Sequence, residues 1–148
     1  MNEINTEIII NAPKKIIWDI ITDFSSYPEW NPFIVKIFGK AEPGENILFF
    51  VKTEAPPFPI YASILEFERE KKLSWGGPGF DFLKPIISAE HIFLIEEISP
   101  SECRFKNYER MGGLLPNITW YLIERSRDSY IEMNKALKLR AERLVVGK

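Results

Sequence analysis

Short runs of β-branched and aromatic residues, separated by turn residues, dominate the first three quarters of the chain. Runs of this length and composition are typical of β-strands, and the short links between them favour antiparallel neighbours. The pattern predicts seven strands, at residues 4–10, 33–38, 47–52, 60–67, 73–75, 87–98 and 103–110. These strands are expected to form one mostly antiparallel sheet.

Three segments show helical features instead. Four isoleucines recur with helical spacing between Lys14 and Thr22, directly after Pro13. The segment 23–32 allows only a second short helix, interrupted at Asn31, because a residue before proline is pushed out of the helical region. A long helix of about 45 Å is predicted from about Asn117 to Val146. Its predicted apolar side consists of Ile123, Tyr130, Met133, Leu137, Ala141 and Leu144.

The predicted elements indicate an α+β fold in which a curved antiparallel sheet grips the long C-terminal helix. The 148 residues suit a single domain, predicted to span residues 1–148. Aromatic residues make up 14% of the chain, which is more than a close-packed core of this size needs. Aromatic rings suit the wall of a ligand cavity, although an aromatic-rich core would have the same composition. We therefore expect an apolar ligand pocket between sheet and helix.

The charge pattern excludes some classes of partner. The formal net charge is −2 with both signs interspersed, so the basic stripe needed for nucleic-acid binding is missing. The single cysteine, Cys103, cannot form an internal disulfide, which fits a reducing compartment. The acidic, polar start does not resemble a signal peptide, and no apolar run reaches membrane-spanning length. A cytoplasmic protein without stable membrane insertion is predicted.

Sequence motifs for common enzyme chemistry are missing. The glycine-rich segment 76–79 contains a proline and is not followed by Lys-Ser/Thr, so it does not match a phosphate-binding loop. The sequence contains no Gly-x-Ser-x-Gly, His-Glu-x-x-His or Cys-x-x-Cys motif. His91 is the only histidine, which excludes a site with several imidazole ligands. Neither a metal site nor a cofactor is predicted.

Three polar residues fall at inward positions of the last two strands. Alternation places His91 on the same face as Phe93, and Asn107 on the same face as Glu109. Because the two strands form a hairpin, His91 and Glu109 are expected near the same end of one face, unless a bulge changes the register. These residues are candidates for anchoring a ligand or moving its protons. The alternative is a structural contact between buried polar groups that satisfy each other.

The loop from Gly76 to Pro85 carries apolar side chains where they are normally avoided. Phe80, Phe82 and Leu83 are the residues concerned. A lid over the mouth of a pocket would explain them. Packing against the helix or a dimer contact would explain them equally well.

Several separated phrases, in this order of elements, resemble the START-like, or Bet v 1-like, superfamily. They are residues 6–13 (TEIIINAP), Trp18-Asp19, residues 23–33 (DFSSYPEWNPF) and residues 133–138 (MNKALK). Within that superfamily the chain looks most like the small members described as polyketide cyclase/dehydrase-like. The resemblance implies a helix-grip fold, with Trp30-Asn31-Pro32 marking the pocket end. It implies a pocket wall that includes Phe49, Val51, Ile64, Trp75, His91, Phe93, Phe105, Asn107, Tyr130 and Met133.

Three hypotheses about function follow from the sequence and its resemblance. The first is a non-enzymatic carrier or sensor of a small apolar or amphipathic ligand, such as a lipid, polyketide or quinone. The second is a cyclase or dehydratase with His91 and Glu109 as acid–base pair and Asn107 orienting a carbonyl. The third is an interaction protein of the chaperone-cofactor or ribosome-associated type that uses the outer face of the sheet. Phe38, Leu48 and Phe50 would lie on that face, where a homodimer would also bury them.

Overall fold

The computed structural model describes residues 2–52, 57–77, 85–116 and 124–147. The strands are β1 (Asn2–Ile10), β2 (Ile34–Phe38), β3 (Asn46–Val51), β4 (Phe58–Glu68), β5 (Lys72–Gly77), β6 (Ser88–Ser99) and β7 (Glu102–Gly112). The helices with both ends among the described residues are α1 (Lys14–Thr22), α2 (Tyr27–Trp30), which a 3-10 turn at Phe24–Ser26 precedes, and α3 (Arg127–Val146). Residues 114–116 and Glu124 are helical as well. All seven predicted strands and both predicted short helices are confirmed.

The seven strands form one sheet in the order β1-β7-β6-β5-β4-β3-β2. Every neighbouring pair is antiparallel. The first strand therefore lies beside the last, and the sheet curls into a half-barrel against α3. This arrangement confirms the predicted α+β helix-grip fold.

The C-terminal helix differs from its prediction at its start, whereas it ends at Val146 as predicted. Arg125 and Ser126 form a turn that interrupts the predicted helix, so α3 begins at Arg127; Glu124 before this turn is helical, and residues 117–123 lie outside the described residues. Ser126 stands directly before the first helical residue and Asp128 lies in the first turn, which are residue types that favour a helix start. The 20 residues of α3 span about 30 Å.

The apolar side of α3 is confirmed for its four central members, which are buried: Tyr130, Met133, Leu137 and Ala141. The prediction was wrong for Leu144, which is 46% exposed. Hydrogen bonds place Arg127 beside Asn5 and Lys138 beside Ile9, which is one residue before the end of β1. About three residues after Lys138 the helix therefore extends beyond the end of β1, and Leu144 lies in this last part. Ile123 lies outside the described residues.

The free edge of β1 is covered by two cations of α3. Arg127 donates to the main-chain oxygen of Asn5 at 3.0 Å, and Lys138 donates to that of Ile9 at 2.8 Å. An edge strand otherwise presents unpaired carbonyl groups to other chains. These two bonds attach the helix to the strand and satisfy part of that edge.

The side chain of Asn31 connects the short helices to β2 and α3. Its Oδ1 accepts hydrogen bonds from the main-chain nitrogens of Phe33 and Ile34, at 2.9 and 2.8 Å. Its Nδ2 lies 3.0 Å from Met133 Sδ on α3. The chain therefore leaves the helical region at Asn31, as its position before Pro32 predicts.

Gly113 allows the chain to turn directly after β7. Its φ is +95°, and a Cβ atom there would lie 2.7 Å from the carbonyl group of Ile86. Gly44 has a φ of +77° with open space around it.

Gly44→Ala should therefore cost about 1–2 kcal/mol from backbone strain alone. Gly113→Ala should cost roughly 1–3 kcal/mol more, because main-chain atoms must shift to admit the methyl group. Urea denaturation of both variants would measure the difference, and equal losses would contradict it.

An apolar patch lies on the outer face of β2, β3 and β4. Phe38 is opposite Leu48, and Leu48 is opposite Tyr61. The rings of Phe38 and Phe50 meet edge to face at 6.2 Å. Phe38 is 49% exposed and Tyr61 is 72% exposed, while Leu48 and Phe50 are half-buried. The residues named by the interaction hypothesis thus share one surface.

The helices of the described residues include none long and apolar enough to cross a membrane.

Candidate functional site

Aromatic side chains from neighbouring strands line the inner face of the sheet. Trp75 and His91 are opposite residues of β5 and β6, and their rings stack with centroids 5.2 Å apart. Phe93 meets the His91 ring edge to face at 4.7 Å. Phe49 lies 5.7 Å from Trp75, and Phe105 lies 5.5 Å from Phe93. Five of the predicted wall residues therefore form one contiguous aromatic surface.

A polar group lies at one end of this surface. His91 and Glu109 are opposite residues of β6 and β7, as the alternation predicts, and the only bulge of this pair lies farther along, between Glu97 and Ser99. His91 Nδ1 is 3.8 Å from Glu109 Oε2, beyond hydrogen-bond distance. The Tyr130 hydroxyl, from α3, donates to Glu109 Oε2. The side chains of His91 and Glu109 are only 7% and 13% exposed.

A chain of buried hydrogen bonds fixes the orientation of His91. Its Nε2–H donates to Asn107 Oδ1 at 2.7 Å, and Asn107 Nδ2 donates to Asn134 Oδ1 at 2.8 Å. Asn134 Nδ2 donates to Thr6 Oγ1 at 3.0 Å, and that hydroxyl donates to the main-chain oxygen of Asn107 at 2.6 Å. This direction of donation requires the proton of neutral His91 on Nε2. The lone pair on Nδ1 therefore faces Glu109.

Burial reverses the usual order of the two pKa values. Desolvation raises the pKa of Glu109 to about 8, because the carboxylate loses its hydration inside the protein. Desolvation also lowers the pKa of His91 to about 4, and the hydrogen bond to Asn107 only partly opposes this change. Between those pH values Glu109 keeps its carboxyl proton and His91 is neutral, so the pair carries no net charge.

Two buried indole N–H groups lack a hydrogen-bond acceptor among the described residues. They belong to Trp30 and Trp75. A buried donor without an acceptor is costly and uncommon in folded proteins. Trp75 Nε1 belongs to the ring that stacks on His91, so this donor lies within the aromatic surface. An acceptor atom of a bound molecule would satisfy it.

The family model for polyketide cyclase / dehydrase and lipid transport proteins matches residues 1–113. This chain belongs to that family. Family membership supports a ligand-binding or cyclase-type role. No curated protein is similar enough to the sequence to give a match.

Solved structures share the fold of this polyketide cyclase / dehydrase and lipid transport family member. A START superfamily protein from Mycobacterium smegmatis is 18% identical, with a TM-score of 0.76 over 96% of this chain and 98% of that one. The Zhui aromatase/cyclase from Streptomyces sp. R1128 is 13% identical, with a TM-score of 0.78 over 97% and 95%. A norcoclaurine synthase point mutant from Thalictrum flavum is 12% identical, with a TM-score of 0.73 over 96% and 94%.

The remaining predicted site residues occupy separate places in this family member. Val51 and Ile64 are buried on β3 and β4. Met133 contacts Asn31, and the half-buried Trp30 packs edge to face on Tyr27 with centroids 5.1 Å apart. Met133 and Trp30 therefore lie towards α2. The predicted lid residues Phe80, Phe82 and Leu83 lie outside the described residues.

Sequence reasoning missed two members of the hydrogen-bond chain and one ring. Thr6 shares the inward face of β1 with Ile4 and Ile10, so the alternation of inward and outward residues along this strand could have identified it. Asn134 follows Tyr130 by four residues and thus lies on the apolar side of α3. Phe33, which meets the Tyr130 ring at 5.1 Å, comes from the loop before β2 and carries no such signal.

An open groove of about 500 Å³ lies outside this site, at the turn between β4 and β5. Its lining comprises Glu66, Phe67, Glu68, Lys71, Lys72 and Leu94. The charged groups there already pair with each other, with Lys72–Glu66 at 2.6 Å and Lys71–Glu68 at 3.4 Å. Among the described residues, no three His, Cys, Asp or Glu side chains converge on a metal-sized site.

Proposed function

We propose that this protein is a carrier or sensor that binds one small apolar or amphipathic molecule between the inner face of the sheet and α3. The polar end of the ligand lies against Glu109, His91 and Tyr130, and its apolar part lies along the aromatic surface. Apolar contact supplies most of the affinity, at about 25 cal/mol per Å² of buried surface. The few polar groups orient the ligand. Family membership supports the proposal, since the family description includes lipid transport.

The buried N–H of Trp75 is the observation on which this proposal rests. A packed core places such a donor against an acceptor, whereas Trp75 Nε1 has none among the described residues. The indole instead lies against His91 and Phe93, close to the group that contains Glu109. A ligand carbonyl or hydroxyl oxygen beside Trp75 would accept this bond.

Native mass spectrometry tests the proposal directly. The protein would be incubated with a library of lipids, polyketides and quinones and then transferred to the gas phase. We expect one molecule of a bound species per chain. If no species from any class is retained, the proposal is wrong.

Changing Trp75→Phe should weaken the binding of Nile red, an uncharged dye with acceptor oxygen and nitrogen atoms, by about 3–10-fold. This range corresponds to the loss of one hydrogen bond of roughly 0.5–1.5 kcal/mol, while most of the ring contact remains. The melting temperature should also fall by a few degrees, because the smaller ring leaves a space in the buried core, so the titration is run well below both unfolding transitions. Fluorescence titration and thermal unfolding would be measured together.

Tyr61→Ala provides the control for this titration. Tyr61 is on the outer face and 72% exposed, so its loss should leave Nile red binding unchanged. Equal weakening by both variants would place the dye on the surface and contradict the proposed site.

The proton distribution favours an enzyme as the second candidate function. Glu109 holds a proton near neutral pH, and His91 Nδ1 offers a lone pair 3.8 Å away. An acid and a base so close together suit a cyclisation or a dehydration, in which one proton is removed and another is added. In this mechanism Asn107 holds His91 through its Oδ1, and its amide nitrogen, which has a second N–H, orients a carbonyl of the substrate. Loss of turnover of a poly-ketone substrate in both Glu109→Gln and His91→Ala would support it.

A further inference from the structure

We propose that Glu109 restricts the site to ligands with an uncharged polar end and excludes carboxylates. This inference rests on the proposed function, because it concerns the ligand of the same site. Glu109 is thereby assigned as a specificity-determining residue.

The surroundings of Glu109 contain no cation among the described residues. The hydroxyl of Tyr130 faces it from α3, and the neutral ring of His91 faces it from β6. On β1 the opposite residue is Ile4, which cannot titrate. A ligand group in contact with Glu109 therefore meets only uncharged polar atoms and apolar surface while Glu109 keeps its proton.

Two cations have partners elsewhere: Arg110, next to Glu109 in sequence, and Arg127, three residues before Tyr130. Arg110 follows Glu109 on β7, but successive residues face opposite sides of the sheet, and its guanidinium pairs with Glu3 at 3.3 Å. Arg127 lies one turn before Tyr130, but it donates to the main-chain oxygen of Asn5 and pairs with Glu124 at 3.5 Å. Neither guanidinium is thus directed at Glu109. A ligand carboxylate beside Glu109 would remain without a described counter-ion.

An uncharged ligand meets the opposite situation. The neutral carboxyl group of Glu109 and the N–H of Trp75 are hydrogen-bond donors, and His91 Nδ1 is an acceptor. An ester, ketone, amide or alcohol can pair with these groups without bringing a charge into the interior. Burial holds the pKa of Glu109 at about 8, so the carboxyl group remains uncharged at neutral pH. Above that pH its ionisation opposes the binding of any ligand that strips water from it.

The test compares dodecanoate with its methyl ester, each displacing Nile red from the full chain at pH 6, 7 and 9. We expect the wild-type protein to bind the ester at least tenfold more tightly than dodecanoate at pH 7. Ester affinity should fall several-fold between pH 7 and 9 in the wild type. Glu109→Gln keeps the shape and an uncharged donor, so its ester affinity should change less than twofold over the same range.

Several results would overturn the inference. They are equal affinity of the wild type for ester and carboxylate, a flat wild-type pH profile, or the same pH profile in Glu109→Gln. Dodecylamine is a further probe, since an amine that binds more tightly than the ester only in the wild type would make Glu109 a counter-ion. Failure of every probe to bind either protein at any pH would instead contradict the proposed function.

Discussion

Replacement of Asn107 by alanine should lower the free energy of unfolding by about 3–5 kcal/mol. The change leaves the Nε2–H of His91 and the Oδ1 of Asn134 without their present partners. A buried polar group without a partner costs about 1–3 kcal/mol, and the space of the missing amide adds to that loss. Two of the four bonds are lost, while those from Asn134 to Thr6 and from Thr6 to the main-chain oxygen of residue 107 remain.

Urea unfolding at pH 6 would measure this loss, with Asn5→Ala as the matched control. Asn5 is an exposed asparagine of β1, and its side chain bonds only to the exposed carboxylate of Glu3 among the described contacts. The control should change the free energy of unfolding by less than about 0.5 kcal/mol. If the two variants are equally stable, the buried network contributes little to the fold.

The protein should become less stable by about 1–1.5 kcal/mol between pH 6.5 and 8. The unfolded chain ionises Glu109 near its ordinary pKa of 4.5, whereas the folded protein holds the proton to about pH 8. The stability that depends on this proton is complete below pH 4.5 and is lost as the pH rises to 8. His91 acts in the opposite direction, since its folded pKa of about 4 lies below the ordinary 6.5. The two effects cancel between about pH 4.5 and 6.5, and above that range only Glu109 contributes.

Denaturation at closely spaced pH values would reveal a plateau followed by a decline. Each pH unit of the decline corresponds to about 1.4 kcal/mol. Glu109→Gln has no proton to lose and should remain level from pH 6.5 to 8. A wild-type profile that rises over this interval, or a variant that declines as steeply, would contradict the assignment of the proton to Glu109.

The sheet was predictable because its strands obey a period of two. Alternation placed His91 and Glu109 on one face, and the hairpin between β6 and β7 placed them opposite each other. The only bulge of that pair follows His91, so it did not disturb the register at the site. Local pattern and a short connection were sufficient there.

The rest of the site depends on contacts that local pattern cannot reveal. Asn134 and Thr6 are 128 residues apart in the chain, and their bond forms only when α3 packs beside β1. The reversed pKa order of His91 and Glu109 depends on depth of burial, which follows from the whole fold. That the N–H of Trp75 has no acceptor within the described part of the chain likewise becomes visible only when its neighbouring side chains are in place.

The start of α3 shows a different limit. Helical spacing continues upstream of residue 127, so periodicity alone extended the helix to about Asn117. The turn at Arg125 and Ser126 interrupts it, and Ser and Asp residues in this region also favour helix starts. The spacing of apolar residues does not reveal such a turn, and Ser126 makes no side-chain capping hydrogen bond that would mark it.

The two hydrogen bonds from Arg127 and Lys138 to β1 also have a consequence for solubility. If α3 detached, for example to admit a large guest, the carbonyl groups of Asn5 and Ile9 would be released together with an apolar strip of the helix. The opened form could then recruit a strand from another molecule and extend the sheet across chains. Secure docking of this helix therefore protects the protein against self-association as well as enclosing its interior.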